Sequence, residues 1–105
     1  MDVTDATFAE QVLESSRPVI VDFWAPWCRP CRAIEPLLVG IEEARAGSVR
    51  LVRVNVDENL AVPSRFGVLS LPTVMLFARG EPVATLVGPQ SRGRYERAFA
   101  PHLEK

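Results

Sequence analysis

The chain has few of the features that mark a specialised partner. Its 105 residues include 12 basic and 13 acidic side chains, so the net charge is −1 and no surplus of either sign is present. That excludes the electrostatic footprint of a nucleic-acid or anionic-membrane protein. Long apolar runs are also missing: stretches such as Val74 to Ala78 fall far short of the roughly 20 residues a membrane span needs. The first fifteen residues hold Asp2, Asp5, Glu10 and Glu14 and no sustained apolar segment, so no secretory leader is expected. With Met1 at the start, a cytoplasmic location is the expectation. No internal repeat, low-complexity tract or linker interrupts the chain, and its length leaves no room for a second core. A single domain over residues 1–105, acting as a monomer, is expected.

Cysteine and histidine are scarce as well. Two cysteines cannot build the dense disulfide framework of a small secreted protein. Those two and His102, the one histidine, fall short of the four ligands of a structural zinc site, so no metal is expected. What remains is ordinary: 48% hydrophobic and 24% charged residues, the balance of a folded globular chain.

The local patterns alternate. Thr4 or Asp5 is placed to cap a short first helix with Phe8, Val12 and Leu13 inward, broken by Ser15-Ser16-Arg17-Pro18. Val19 to Trp24 is β-branched and nearly all apolar, as a strand covered on both faces must be. A helix follows from about Cys28 to Arg45, its buried stripe Ile34, Leu37, Leu38 and Ile41, with Gly47 just beyond its end. Leu51 to Val56 alternates as a second strand, and residues 58–66 suit a short helix limited by Pro63. Thr73–Ala78 and Val83–Val87 read as strands joined by a hairpin over Arg79-Gly80-Glu81-Pro82. Pro82 cannot donate to a ladder, which puts the last strand at a sheet edge. Ser91 caps a final helix carrying Tyr95, Ala98 and Phe99, which Pro101 should end or kink. The expected fold is α/β, a three-layer sandwich. Its mixed central sheet has a parallel core and an antiparallel hairpin edge, with helices on both faces.

The chemistry lies in Cys28-Arg29-Pro30-Cys31. Cys28 ends a strand-to-helix turn, where unsatisfied N–H groups and a positive partial charge favour a thiolate. Cys31 stands one helical turn further on, about 5–6 Å away, a spacing at which a disulfide closes and opens without large backbone movement. Pro30 between them fits a first turn, where its missing N–H costs nothing. Such a pair near a strand-helix-strand unit is a redox signature.

The segment Val21-Asp22-Phe23-Trp24-Ala25-Pro26-Trp27-Cys28-Arg29-Pro30-Cys31-Arg32 resembles the active-site segment of the thioredoxin family. Pro36, Asn55-Val56-Asp57, Leu71-Pro72-Thr73, Phe77-Ala78-Arg79-Gly80 and Val87-Gly88 extend the resemblance over essentially the whole chain. The resemblance implies a thiol–disulfide oxidoreductase that reduces protein disulfides and needs no cofactor. Its electron donor would be a flavin-dependent thioredoxin reductase and its substrates disulfide-containing proteins. Cys28 would be the exposed attacking thiol and Cys31 the buried resolving one. Asp22 would move a proton for Cys31. An acid in an apolar strand should have a raised pKa, although a carboxylate that only bonds nearby backbone is an equal reading of the residues. Pro72 would be a cis-proline facing the site. Trp27, Pro30, Val68, Leu71, Pro72, Val87 and Gly88 would form an apolar groove, with the Leu71 backbone pairing to an extended substrate. Taken singly, Val68, Leu71 and Val87 equally suit plain core.

Three departures bear on redox tuning. Arg29 stands where the family usually has Gly, Arg32 where it has Lys, and Arg53 where it commonly has Lys near the buried acid. Arg53 stays charged at any relevant pH and would hold Asp22 lower than a Lys would, while Arg29 and Pro30 would tune Cys28. An oxidant or isomerase, and a binding module without redox activity, are the rival readings.

Overall fold

The computed structural model describes residues 1–103. Its elements are a π-helical turn (Ala9–Leu13), β1 (Val19–Trp24), α1 (Arg29–Ala44), β2 (Arg50–Asn55), α2 (Ala61–Arg65), β3 (Thr73–Ala78), β4 (Glu81–Val87) and α3 (Arg92–Leu103). The strands form one sheet in the order β2-β1-β3-β4. β1 and β2 run parallel, whereas β3 is antiparallel to both β1 and β4. This is the expected mixed sheet, with β4 and its Pro82 at the edge.

Alternation along the central strands divides the core into two apolar layers. Val19, Val21 and Phe23 of β1 point with Val52, Val54, Met75 and Phe77 toward Phe8, Val12 and Val62. On the other face Ile20, Leu51, Val74 and Leu76 meet Ile34, Leu38 and Ile41 of α1 and Tyr95 and Phe99 of α3. By the same alternation Asp22 belongs to the α1 and α3 face, the only charged residue in the buried stretch of β1.

Several local expectations need correction. The first helix is one π-helical turn, with Glu14 N–H donating to the Ala9 carbonyl at 2.9 Å. Thr4 caps its approach, its hydroxyl accepting from Thr7 N–H at 3.3 Å. Asp5 instead caps α2, accepting from Ala61 N–H at 3.0 Å and Val62 N–H at 2.9 Å. α2 is shorter than residues 58–66, and Pro63 lies within its first turn, where no donor is lost. The β3–β4 turn is only Arg79 (φ 54) and Gly80 (φ 81), the two left-handed residues that match strand twist. β4 therefore begins at Glu81, and Pro82 pairs opposite Phe77 beside a register shift that leaves Val83 bulged. Pro101 does not end α3, which runs on to Leu103. α1 likewise continues through Pro36.

Candidate active site

The carboxyl ends of the parallel strands β1 and β2 and the amino end of α1 converge on one point. The turn from Trp24 to Cys28 is closed by Cys28 N–H donating to the Ala25 carbonyl at 3.1 Å. Cys28 then takes an extended conformation (φ −88, ψ 103) and serves as the N-cap of α1. Its sulfur accepts the backbone N–H of Cys31 at 3.2 Å, the bond a serine or aspartate oxygen makes at an ordinary helix start. Pro30 lies within the first turn of α1, exposed. Cys28 and Cys31 are joined as a disulfide, with Cα atoms 5.3 Å apart. One turn of helix thus brings the two cysteines to the separation expected of a disulfide.

The expectation of an exposed Cys28 does not hold in this oxidised form. Cys28 is 4% exposed, scarcely more than Cys31 at 2%. Ala25 packs with both cysteines, and Trp24, Val56 and Leu71 close around them. The difference between the two sulfurs is one of position: Cys28 occupies the cap, and Cys31 is inside the helix. Below them Arg32 reaches back to donate to the Pro26 carbonyl at 2.8 Å, tying the helix to the turn before it.

Asp22 is 1% exposed, and its Oδ1 has no hydrogen-bond partner. The backbone-bonded reading of this carboxylate is thus not what the structure holds for that oxygen. Burial pushes its pKa from 3.8 up to about 7, against the pull of the Arg53 cation and with a smaller push from Glu35. Arg53 and Asp22 are direct neighbours in the β1–β2 register. The guanidinium nevertheless pairs elsewhere: with Glu35 at 3.3 Å and Asp2 at 3.7 Å, and over the Trp24 ring at 4.0 Å. Arg53 lowers Asp22, but burial is the larger effect.

The groove residues are brought together in part. Trp27, Val68 and Leu71 line a shallow cavity of about 240 Å³, joined by Val56, Pro63, Leu69 and Ser70, which sequence reasoning missed. Pro30, Pro72, Val87 and Gly88 are not among its walls. Pro72 is buried behind a cis Leu71–Pro72 bond, and its carbonyl accepts Gly88 N–H at 2.8 Å. Val87 pairs with Thr73 and is 56% exposed on the edge strand, so it is not core. Val68 and Leu71 are half-buried. Trp27 is 68% exposed, and its indole N–H donates to the Asp57 carboxylate at 3.0 and 3.2 Å. Asp57 and Glu35 were also missed; the first is signalled only by an acid beyond a strand end, the second only by an acid one turn after Cys31. Arg29 is exposed at the first helical position. Among the described residues no group of three or more His, Cys, Asp or Glu gathers as a metal site, and no helix is long and apolar enough to cross a membrane.

The arrangement is that of a dithiol able to cycle through a disulfide, with an apolar hollow beside it and an acid of near-neutral pKa buried in the adjacent strand. Comparison with known proteins agrees. The model of the Thioredoxin family matches residues 1–100. The chain is 48% identical over 101 residues to Thioredoxin 1 of Synechococcus elongatus, covering 96% of this chain and 94% of that one. It is 44% identical over 104 residues to Thioredoxin of Alicyclobacillus acidocaldarius, covering 99% and 98%. Against Thioredoxin of Rickettsia felis it is 45% identical over 91 residues, 87% of each chain.

Proposed function

The chain belongs to the thioredoxin family and is a thiol–disulfide oxidoreductase acting on disulfide-containing substrates; from that premise we propose that it runs in the reducing direction, as a single domain over residues 1–105 working as a monomer. In the dithiol form the Cys28 thiolate attacks one sulfur of a substrate disulfide, releasing a substrate thiolate and leaving a mixed disulfide. The Cys31 thiol then gives its proton to the Asp22 carboxylate and attacks the Cys28 sulfur. The second substrate thiolate leaves, and the Cys28–Cys31 disulfide remains. Two electrons have passed to the substrate, and an external dithiol must restore them. A flavin-dependent thioredoxin reductase is the proposed donor, and the cytoplasm, where such a poise is kept, the proposed compartment.

The observation that carries this reading is the N-cap position of Cys28. The Cys31 N–H aimed at its sulfur stabilises a thiolate there, whereas Cys31 has no comparable end position. One backbone donor in a nearly closed, apolar surround is modest stabilisation. A couple whose thiolate is only modestly stabilised keeps a low reduction potential, which favours the reductant over the oxidant. The cavity walled by Trp27, Val68 and Leu71 offers the apolar contact that an unfolded substrate segment would cover.

Insulin-disulfide reduction driven by dithiothreitol, together with equilibration against glutathione, tests the direction. Catalysed reduction and a potential below about −250 mV are expected. A potential near −120 to −180 mV, roughly that of oxidases and isomerases, would overturn the reductive reading.

A further inference from the structure

Asp22 and Arg53 form a pair that the sheet assembles and the side chains decline. In parallel register they are direct neighbours on one face. The Arg53 backbone is pinned on its outer side as well: its N–H donates to the Met1 carbonyl at 2.9 Å and its carbonyl accepts Val3 N–H at 2.8 Å. A cation so placed is the natural partner of a buried carboxylate. Instead its Nε lies 3.3 Å from Glu35 Oε2, at ion-pair distance though not aligned as a hydrogen bond. Its Nη1 is 3.7 Å from Asp2, and its plane covers Trp24. Glu35 follows Cys31 by four residues on α1, the i,i+4 spacing that aligns side chains along one stripe.

We propose that Glu35 is a positioning residue for proton transfer at the active site, its carboxylate holding the Arg53 guanidinium off Asp22. The inference deepens the assignment of Asp22 as the proton acceptor and rests on it. Two charged groups act on Asp22, Arg53 from β2 and Glu35 from α1, while Tyr95 of α3 in turn feels the Asp22 charge. Asp2, from the N-terminal segment, touches Arg53 only from the solvent side. Glu35 acts twice in one direction. As a like charge it disfavours the Asp22 carboxylate, and as a partner it occupies the cation that would otherwise favour it. Without Glu35 the guanidinium is free to turn toward Asp22, and the carboxyl would ionise too readily to hold a proton at neutral pH.

The test follows the Asp22 carboxyl by carbon NMR through a pH titration of the reduced protein. Glu35→Gln keeps the shape and removes the charge; the Asp22 midpoint should fall by about one pH unit. Glu35→Asp, with its shorter reach, should restore part of the shift. In an Arg53→Met background, Glu35→Gln should move the midpoint markedly less, because the cation it restrains is gone. An unmoved or rising midpoint in Glu35→Gln overturns the proposal, as does an equal shift with and without Arg53. The pH profile of mixed-disulfide resolution is read on the same variants and should move down with the midpoint. A midpoint that shifts while the resolution profile stays fixed would overturn the role of Asp22, not the placement of Arg53 by Glu35.

Discussion

The carboxylate of Asp57 receives the indole N–H of Trp27 across 30 residues of sequence, and so fixes a ring that is otherwise two-thirds exposed beside the cysteines. The bond joins the loop before α1 to the turn after β2. It orients one wall of the cavity that also holds Val68 and Leu71. Solvent screens an exposed charge-assisted bond, so it contributes little to folding. Its effect should appear in substrate reduction instead. Asp57→Ala should leave the melting temperature within a few degrees while raising KM for insulin reduction, with kcat less changed. A loss confined to kcat would show that Trp27 needs no anchoring.

The two cysteines should divide the labour. Cys28→Ser is expected to abolish reduction, and Cys31→Ser to accumulate mixed disulfides with substrate proteins. The reason is the cap: only Cys28 occupies the helix end where a thiolate is stabilised. Non-reducing gels of the two variants after incubation with oxidised insulin decide it. Trapping by Cys28→Ser and not by Cys31→Ser would reverse the roles.

Asp22 makes folding depend on pH in the sense opposite to that of a salt-bridged acid. Its folded pKa, about 7, lies above the 3.8 of an unperturbed carboxyl. Between those values the folded state binds the proton that the unfolded state has lost, so stability falls as pH rises through that window. A rise of that size limits the penalty to about 4 kcal/mol at pH 8. A buried amide without partners takes back part of that gain. Asp22→Asn should therefore stabilise the protein by roughly 1–3 kcal/mol at pH 8 and hardly at all at pH 4. Urea titrations at the two pH values check both. A clear loss of stability at pH 8 would contradict the unpartnered oxygen.

Arg29 places an exposed cation one residue from Cys28, at a helix end whose partial charge is already positive. It favours the thiolate and hence the reduced form, which makes the couple more oxidising. Solvent screens the pair, so Arg29→Gln should lower the reduction potential by only about 10–20 mV. The difference should shrink in high salt. Glutathione equilibration measures it, and a shift toward more oxidising values would refute it.

Much of this protein was legible before folding because its cues are local. The largely apolar runs Val19–Trp24 and Thr73–Ala78 became strands at their expected limits, since short runs apolar in both parities suit strands covered on both faces. The cysteine spacing and Pro30 placed a redox pair on a helix start, because three residues of helix bring two Cα atoms to disulfide range. What the tertiary structure decided are matters of which distant groups meet. Asp5, a capping residue by type, caps a helix 56 residues away because the N-terminal turn docks against α2. Arg53 neighbours Asp22 by register yet pairs with Glu35, since α1 crosses the sheet at that point. The burial of Cys28 likewise exists only once Ala25, Val56 and Leu71 have closed around it, and the unpartnered Asp22 oxygen only once the faces of β1 are covered. Local sequence sets a residue's conformation and chemical type. The cost of desolvating a charge, and the partner that offsets it, arise only from packing.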